Sequence, residues 1–174
     1  MPEEVSMTTN DKGRLPVLAV LGAGDATADE EALAARIGAM GAAAGWVVLT
    51  GGGPGVMAAA SRGAVEAGGL TVGILPCHRP TMDYPNPWVR IPVFTGAGSA
   101  RNAFNVLSAT LCVAIGGGAG TLSEVGHALK NEIPIWCWGS WKLTPPPSSI
   151  RPLPRVFDTA EELVAELELE LRRQ

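Results

Sequence analysis

Two residues in this chain have the type and setting expected of side chains that act on a ligand, and both follow glycine-rich runs: Arg101 and Glu124. Glu124 comes after the run GGGAGT at residues 116–121, which joins an apolar run to a helical pattern. Glycines at such a junction expose the N–H groups of the first helical turn at the positive end of the helix dipole. The stretch at residues 110–130 therefore predicts a site for a phosphate or a similar oxyanion.

A second turn of the same kind, TGGGPG at residues 50–55, also lies between an apolar run and an alanine-rich helical pattern. Two such turns in one α/β chain predict two anion-contacting loops at one crevice, beyond the carboxyl ends of parallel strands. Association costs about 4–15 kcal/mol, which a few charge-assisted hydrogen bonds of ~1.5–3 kcal/mol each hardly offset. We therefore expect a ligand larger than bare phosphate, such as a nucleotide. The alternative is that these glycines only allow the backbone to turn tightly beside a neighbouring helix.

The two candidate reactive side chains also have structural interpretations. Arg101 would supply the positive charge of the crevice as a bidentate oxyanion clamp, or it would form a surface ion pair worth ~0–1 kcal/mol. Glu124 would face the crevice and act on a ligand. Otherwise Thr121 and Glu124 would form a capping box and touch no ligand. His127, one turn after Glu124, could orient that carboxylate or be purely structural.

The surrounding pattern alternates strands with helices, which predicts a doubly wound parallel sheet. Capping boxes at Thr27–Glu30 and Thr159–Glu162 predict two helix starts. A further helix is expected to begin with Ser99 as its N-cap and to turn Phe104 and Leu107 inward, with Arg101, Asn105 and Ser108 on the opposite face. The other expected elements are six strands (15–21, 46–49, 70–75, 88–94, 110–115 and 133–138), with the fourth near a sheet edge because of Pro92, and proline-rich loops at 76–87 and 139–154.

Composition restricts the class of protein. The 174 residues are 47% hydrophobic and carry a net charge of −4 with only 13 lysines and arginines, which argues against a nucleic-acid surface. We predict a polar, mobile tail at residues 1–14 and one domain at residues 15–174, without a signal peptide or membrane span. Three cysteines without a CxxC pair favour a reducing cytoplasm, and no metal site is expected. The GxG at residues 22–24 lacks the third glycine of the dinucleotide fingerprint, so NAD or FAD binding is not expected.

The motifs GGGPGVM, GSARN and GGGAGTLSE, in this order and spacing, resemble the Lonely Guy family, which carried the label "possible lysine decarboxylase". The resemblance covers residues 15–132 and implies a Rossmann-like, three-layer α/β/α fold with a mostly parallel sheet of six or seven strands. The enzyme branch of the family cleaves the N-glycosidic bond of cytokinin nucleoside 5′-monophosphates. Its catalytic residues would fall on Arg101 and Glu124. Together with the two turns, the resemblance implies ligand or phosphate contacts at Gly52, Gly53, Gly55, Ser99, Arg101, Asn102, Gly117, Gly118, Gly120 and Thr121.

Departures from the enzyme branch point to a sister branch. The proline of the motif PGGxGTxxE is Gly116 here, and the lysine that follows the arginine is Asn102. The pattern is similar to the molybdenum cofactor carrier proteins, which are dimers or tetramers that bind a phosphate-bearing pterin. We therefore expect a homo-oligomeric carrier of molybdenum cofactor or an AMP-like nucleotide, needing no catalytic cofactor. The alternatives are a phosphoribohydrolase or a nucleotide-binding sensor module, whereas lysine decarboxylase activity is not expected.

Overall fold

The strands of this protein form one parallel sheet in a computed structural model that describes residues 13–144, 146 and 153–173. The strands are β1 Val17–Gly22, β2 Val47–Thr50, β3 Thr71–Leu75, β4 Ile91–Phe94, β5 Leu111–Ile115, β6 Ile135–Trp138 and β7 Arg155–Phe157. The helices are α1 Ala28–Ala43, α2 Val56–Glu66, α3 Arg101–Leu107, α4 Ala119–Lys130 and α5 Ala160–Leu171. A 3₁₀ turn, Gly98–Ala100, leads into α3.

The order of the strands places the site. It runs β4-β3-β2-β1-β5-β6-β7, and every pairing is parallel. The chain moves outward from β1 to β4, returns across the sheet through α3, and continues from β5 in the other direction. The reversal between β1 and β5 is the topological switch point, where the loops at the carboxyl ends of strands diverge and leave a crevice. The predicted Rossmann-like, three-layer fold with a parallel sheet is confirmed.

Two clusters of buried side chains, one on each face of the sheet, hold the layers together. Helices α1, α2 and α5 pack on one face, where alternate strand residues such as Leu18 and Val20 are fully buried. Helices α3 and α4 cover the other face through Val106, Val125 and Ala128. The alternation follows from the pleat, because successive side chains of a strand point to opposite faces. Both faces must be covered, so the central strands are apolar runs.

Several local predictions hold. Both capping boxes are present, with Thr27 before α1 and Thr159 before α5. Strand β4, which contains Pro92, is an edge strand, as expected for a residue without a backbone N–H. The predicted tail at 1–14 lies outside the described residues except for Gly13 and Arg14, and only parts of the predicted loop at 139–154 are described. No helix in the described part has the length and apolar character needed to cross a bilayer.

The orientation predicted for α3 is wrong. Phe104 and Leu107 are 45% and 55% exposed, whereas Arg101 and Asn105 lie on the buried side of the helix. Polar residues point inward here because this short helix packs beside the crevice, where a cavity and the carboxylate of α4 take the place of an apolar core. The predicted N-cap role of Ser99 is also wrong: Ala100 precedes α3, and no side chain caps it.

Candidate functional site

A cavity of about 290 Å³ opens at the switch point, beyond the carboxyl ends of β1 and β5. Its walls come from the end of β1 and the loop after it, from the first glycine turn, and from the starts of α3 and α4. The lining residues are Val20, Leu21, Gly22, Ala23, Gly24, Gly51, Met57, Arg101, Asn102, Gly118, Gly120, Thr121 and Glu124. The cavity thus joins both predicted catalytic residues with part of the predicted phosphate loop.

The amino end of α4 faces this cavity without a cap. Gly118 is the N-cap residue, and no side chain accepts a hydrogen bond from the first turn of the helix. A Cβ atom on Gly118 would meet nothing within 4 Å, and one on Gly120 would meet only Asn102 Nδ2 at 3.8 Å. Uncapped N–H groups in open space at the positive end of a helix dipole can bind an anion.

Arg101 supplies positive charge to the same cavity. Its side chain is almost fully buried, and its guanidinium lies directly against Gly51, where a Cβ atom would be 2.7 Å from the guanidinium carbon. Its Nε is buried without a hydrogen-bond partner in the described part of the chain. A buried donor that lacks a partner is costly, so an acceptor brought in by a ligand would be favoured there.

Glu124 lies opposite Arg101 and is held by Asn105. The amide Nδ2 of Asn105 donates a hydrogen bond of 2.8 Å to Glu124 Oε1, and Arg101 Nη1 lies 3.9 Å from the same oxygen. Burial raises the pKa of Glu124 to about 7, although the Asn105 hydrogen bond and the Arg101 charge both favour the carboxylate. The cation is too distant to offset the loss of water, so near neutral pH this group can hold or release a proton.

Asn102 ties α3 to α4 at the mouth of the cavity. Its Nδ2 donates to Ser123 Oγ at 2.8 Å and weakly to the Gly120 carbonyl oxygen at 3.4 Å. Ser123 Oγ in turn donates to that carbonyl at 2.6 Å. The amide thus fixes the position of the first turn of α4, at the place where the enzyme branch of the resembled family carries a lysine.

The first glycine turn is filled by neighbouring groups. A Cβ atom would be 2.2 Å from Leu75 Cδ2 at Gly52, 2.8 Å from Met57 Cε at Gly53, and 2.4 Å from the Ala23 carbonyl oxygen at Gly55. Gly51 lines the cavity, whereas Gly52, Gly53 and Gly55 do not. Their contact with a ligand stays a prediction, and it would require the groups packed on them to move.

The remaining predicted site residues lie around the cavity. Gly117 packs against the Thr121 side chain, and Ser99 is exposed in the 3₁₀ turn; neither lines the cavity. The capping-box interpretation of Thr121 and Glu124 is wrong, because α4 begins at Ala119 and both residues lie inside it. Glu124 accepts a hydrogen bond from the Asn105 side chain, and the backbone carbonyl of His127 accepts one from the Asn131 side chain.

Sequence reasoning missed the wall formed by β1 and the role of Asn105. The GxG at Gly22 and Gly24 does not complete a dinucleotide fingerprint, yet both glycines line the cavity because β1 is adjacent to β5. A parallel sheet brings the carboxyl ends of neighbouring strands to one edge, and this was the available signal. Asn105 could have been found from its i, i+4 spacing with Arg101.

The described residues contain no group of three or more His, Cys, Asp or Glu that could hold a metal ion.

Comparison with known proteins agrees with this architecture. The model of the SLOG cluster4 family matches residues 15–161. The molybdenum cofactor binding protein of Rippkaea orientalis is 39% identical with a TM-score of 0.69, over 91% of this chain and 87% of that one. The Moco carrier protein of Chlamydomonas reinhardtii is 36% identical with a TM-score of 0.76, over 92% and 100%. A protein of Archaeoglobus fulgidus is 38% identical over 87% of this chain and 93% of its own length. The chain therefore belongs to the SLOG cluster4 family, within the Lonely Guy superfamily and alongside the molybdenum cofactor carriers.

Proposed function

We propose that this protein binds a phosphate-bearing pterin or nucleotide and acts as a molybdenum cofactor carrier-like protein. The observation that carries this proposal is the open amino end of α4, at Gly118 and Gly120, which shares one cavity with Arg101, a buried cation whose Nε has no hydrogen-bond partner in the described part of the chain. The phosphate would accept hydrogen bonds from the backbone N–H groups of Gly120 and Thr121, and Arg101 would balance its charge. The relatives named for molybdenum cofactor binding and carriage support the pterin as cargo.

The loop before α4 argues for a carrier over the rival phosphoribohydrolase. Gly116 has a φ of 54°, and a Cβ atom there would lie 1.9 Å from Glu30 Oε1. Proline requires a φ near −65°, so the proline of the enzyme motif could not replace Gly116 in this conformation. Glu124 is also the one carboxylate that lines the cavity in the described part of the chain, whereas glycosidic cleavage usually uses two.

The decisive experiment compares binding with turnover. Purified protein is titrated with AMP, with an isopentenyladenine ribotide and with a stable pterin monophosphate, and each mixture is then analysed for released base by chromatography. We expect saturable binding without base release at ordinary enzyme rates. Base release that disappears in Glu124→Gln would establish the phosphoribohydrolase instead. Absence of binding to all three ligands would contradict the whole proposal.

The proposed homo-oligomer would bury an uncharged apolar surface on α3 and β4. Phe104 and Leu107 of α3 are exposed, as are Ile91 and Val93 of β4. Ile91 and Val93 pair in register with Val72 and Ile74. Those two residues belong to the side-chain cluster under α3, so the exposed side chains of β4 and α3 lie on the same face of the sheet.

Light scattering after size exclusion tests this oligomer. The wild type should be a dimer or tetramer, and Leu107→Glu should dissociate it. The matched control is Leu169→Glu at an exposed position of α5, which should leave the assembly intact. A monomeric wild type would contradict the proposed oligomer. We also propose a cytoplasmic location, since Cys77, Cys112 and Cys137 are free thiols.

A further inference from the structure

Each of the two proline-rich loops places an aromatic side chain on a glycine turn. Tyr84, from the loop at 76–87, packs on Gly53, where a Cβ atom would lie 2.9 Å from Tyr84 Cε1. Asn86 fastens that loop by donating from Nδ2 to the Gly53 carbonyl at 2.9 Å. Trp141, from the loop at 139–154, donates a hydrogen bond from Nε1 to the Gly118 carbonyl at 3.0 Å. Each loop therefore reaches one of the two glycine turns, but only Trp141 is bound to a residue that lines the cavity, Gly118.

Trp141 differs from the tryptophans of the core. Trp46 and Trp136 are 2% and 8% exposed, whereas Trp141 is 42% exposed although its Nε1–H donates to the backbone carbonyl of Gly118. The segment before it is anchored too, because the Gly116 N–H donates to the Trp138 carbonyl at 3.0 Å. The ring contacts of the described residues join Trp136, Phe157 and Arg155, and they do not include Trp141. A hydrogen bond to the N-cap residue of α4 thus anchors a large apolar ring that is still 42% exposed.

The size and chemistry of the cavity leave a role for such a ring. About 290 Å³ is at the small end of ligand pockets, which measure roughly 300–1,000 Å³. The lining consists of glycines, aliphatic groups and the polar residues of α3 and α4, and no aromatic residue is among its described members. A ligand with its phosphate at α4 would therefore extend its remaining part over the rim, and Gly118 lies on the rim where Trp141 is attached.

We propose that Trp141 is a specificity-determining residue that contacts the planar heterocycle of the phosphate-bearing ligand. The inference rests on the proposed function and extends it from the phosphate to the base or pterin. The Nε1 hydrogen bond to Gly118 orders the indole before binding, so little rotamer entropy remains to be lost when a ring packs on it. Aromatic contact of this kind favours ligands that carry a flat heterocycle over those that do not, without distinguishing pterin from purine.

The experiment separates contact with the ring from support of the loop. Calorimetric titrations with AMP, a pterin monophosphate and ribose 5-phosphate are made on the wild type, Trp141→Ala, Trp141→Phe and the control Leu143→Ala. Leu143 is 38% exposed in the same segment. We expect Trp141→Ala to raise the Kd of whichever ring-bearing ligand binds the wild type more tightly by about 5- to 150-fold, the range measured for single stacked bases. Ribose 5-phosphate should be affected less than about twofold, and Trp141→Phe should retain most of the affinity for the ring.

The outcomes have distinct meanings. Equal losses for ribose 5-phosphate and the ring-bearing ligand would show that Trp141 only positions Gly118, which overturns the inference. Unchanged affinity for the ring-bearing ligand in Trp141→Ala would overturn it as well. A wild type that binds none of the three ligands would contradict the proposed function itself. Circular dichroism of each variant shows that the fold is retained, and the tryptophan fluorescence change on binding should be largely lost in Trp141→Phe.

Discussion

The two glycine turns have nearly the same sequence, yet their surroundings are opposite. The turn before α2 is packed: the guanidinium of Arg101, the Leu75 side chain and the Tyr84 ring occupy the places where side chains on its glycines would be. The turn before α4 is packed at Gly116 and Gly117 but open at its helix end, since a Cβ atom would meet nothing within 4 Å on Gly118 and only Asn102 Nδ2 at 3.8 Å on Gly120. Packing therefore accounts for the glycines of the first turn, whereas Gly118 and Gly120 of the second leave unfilled space at the start of α4.

This difference separates structural from ligand-binding use of one motif. Both interpretations were open for the first turn, and its packing favours the structural one, while Gly51 still forms part of the cavity wall. Arg101 connects the two regions, because its guanidinium lies on Gly51 and its Nη1 faces Glu124 of α4. We infer that the packed turn positions the cation and that the open turn accepts the anion.

The largest effect is expected from Gly55→Ala in the packed turn. Gly55 combines a φ of 62° and a ψ of −128° with a Cβ position 2.4 Å from the Ala23 carbonyl oxygen. Backbone strain of about 1–3 kcal/mol and the steric overlap should together lower the free energy of unfolding by ~3 kcal/mol or more. Urea denaturation measures it. Gly68→Ala is the control, since its φ of 79° carries strain without any neighbour within 4 Å; an equal loss in both variants would mean that packing on the first turn is unimportant.

Arg101→Met should abolish most of the ligand affinity by removing the cation that links the two turns. Charge-assisted hydrogen bonds are worth ~1.5–3 kcal/mol, so we expect a 10- to 150-fold increase in Kd for the phosphate-bearing ligand in calorimetry. Arg62→Met, on the exposed side of α2, serves as the control and should bind normally. Unchanged affinity in Arg101→Met would remove the arginine from the site.

Glu124→Gln should stabilise the protein increasingly as pH rises. The folded-state pKa of about 7 lies above the ordinary 4.5, so the folded protein retains a proton that the unfolded chain releases. The stability that this proton provides is complete below about pH 4.5 and is lost as pH rises through 7. Between pH 4.5 and 8 the free energy of unfolding of the variant should therefore rise by ~1–3 kcal/mol relative to that of the wild type, as measured by denaturation at each pH.

The matched control for this pH series is Glu66→Gln at an exposed position near the end of α2, whose stability relative to the wild type should not change with pH in this way. A difference between Glu124→Gln and the wild type that stays constant with pH would mean that Glu124 is ionised throughout.

The smallest effect on stability is expected from Gly120→Ala in the open turn. Replacing a glycine inside a helix by alanine removes backbone freedom from the unfolded chain, and the new methyl group meets only Asn102 Nδ2 at 3.8 Å. The free energy of unfolding should stay constant or rise by up to ~1 kcal/mol, while ligand affinity falls because the methyl group narrows the anion site. A loss of stability comparable to that of Gly55→Ala would erase the contrast between the turns.

The sequence predicted the fold well because the signals were repeated along the chain. Apolar runs, both capping boxes and the strand–glycine–helix order all agreed on a parallel sheet, and Pro92 marked its edge. Of the predicted site residues, Arg101, Asn102, Gly118, Gly120, Thr121 and Glu124 line the cavity, while their contact with a ligand stays a prediction. In contrast, the predicted orientation of α3 is wrong. Hydrophobic periodicity predicts that Phe104 and Leu107 are buried, and it cannot detect that the polar face of a short helix lines a cavity. Nor can sequence show whether a glycine is packed or open, since this depends on residues as distant along the chain as Tyr84 at Gly53 and Arg101 at Gly51.

The most direct test is the response of backbone amides in NMR spectra as a phosphate-bearing ligand, AMP or a pterin monophosphate, is titrated into the labelled protein. The amides of Gly118, Gly120 and Thr121 should shift strongly and saturably, because their N–H groups receive the oxyanion. Those of Gly52, Gly53 and Gly55 should shift little, because side chains cover Gly52 and Gly53 and the backbone of residues 23–24 covers Gly55. Strong shifts confined to the first turn, or none at either turn while the ligand binds elsewhere, would contradict the account.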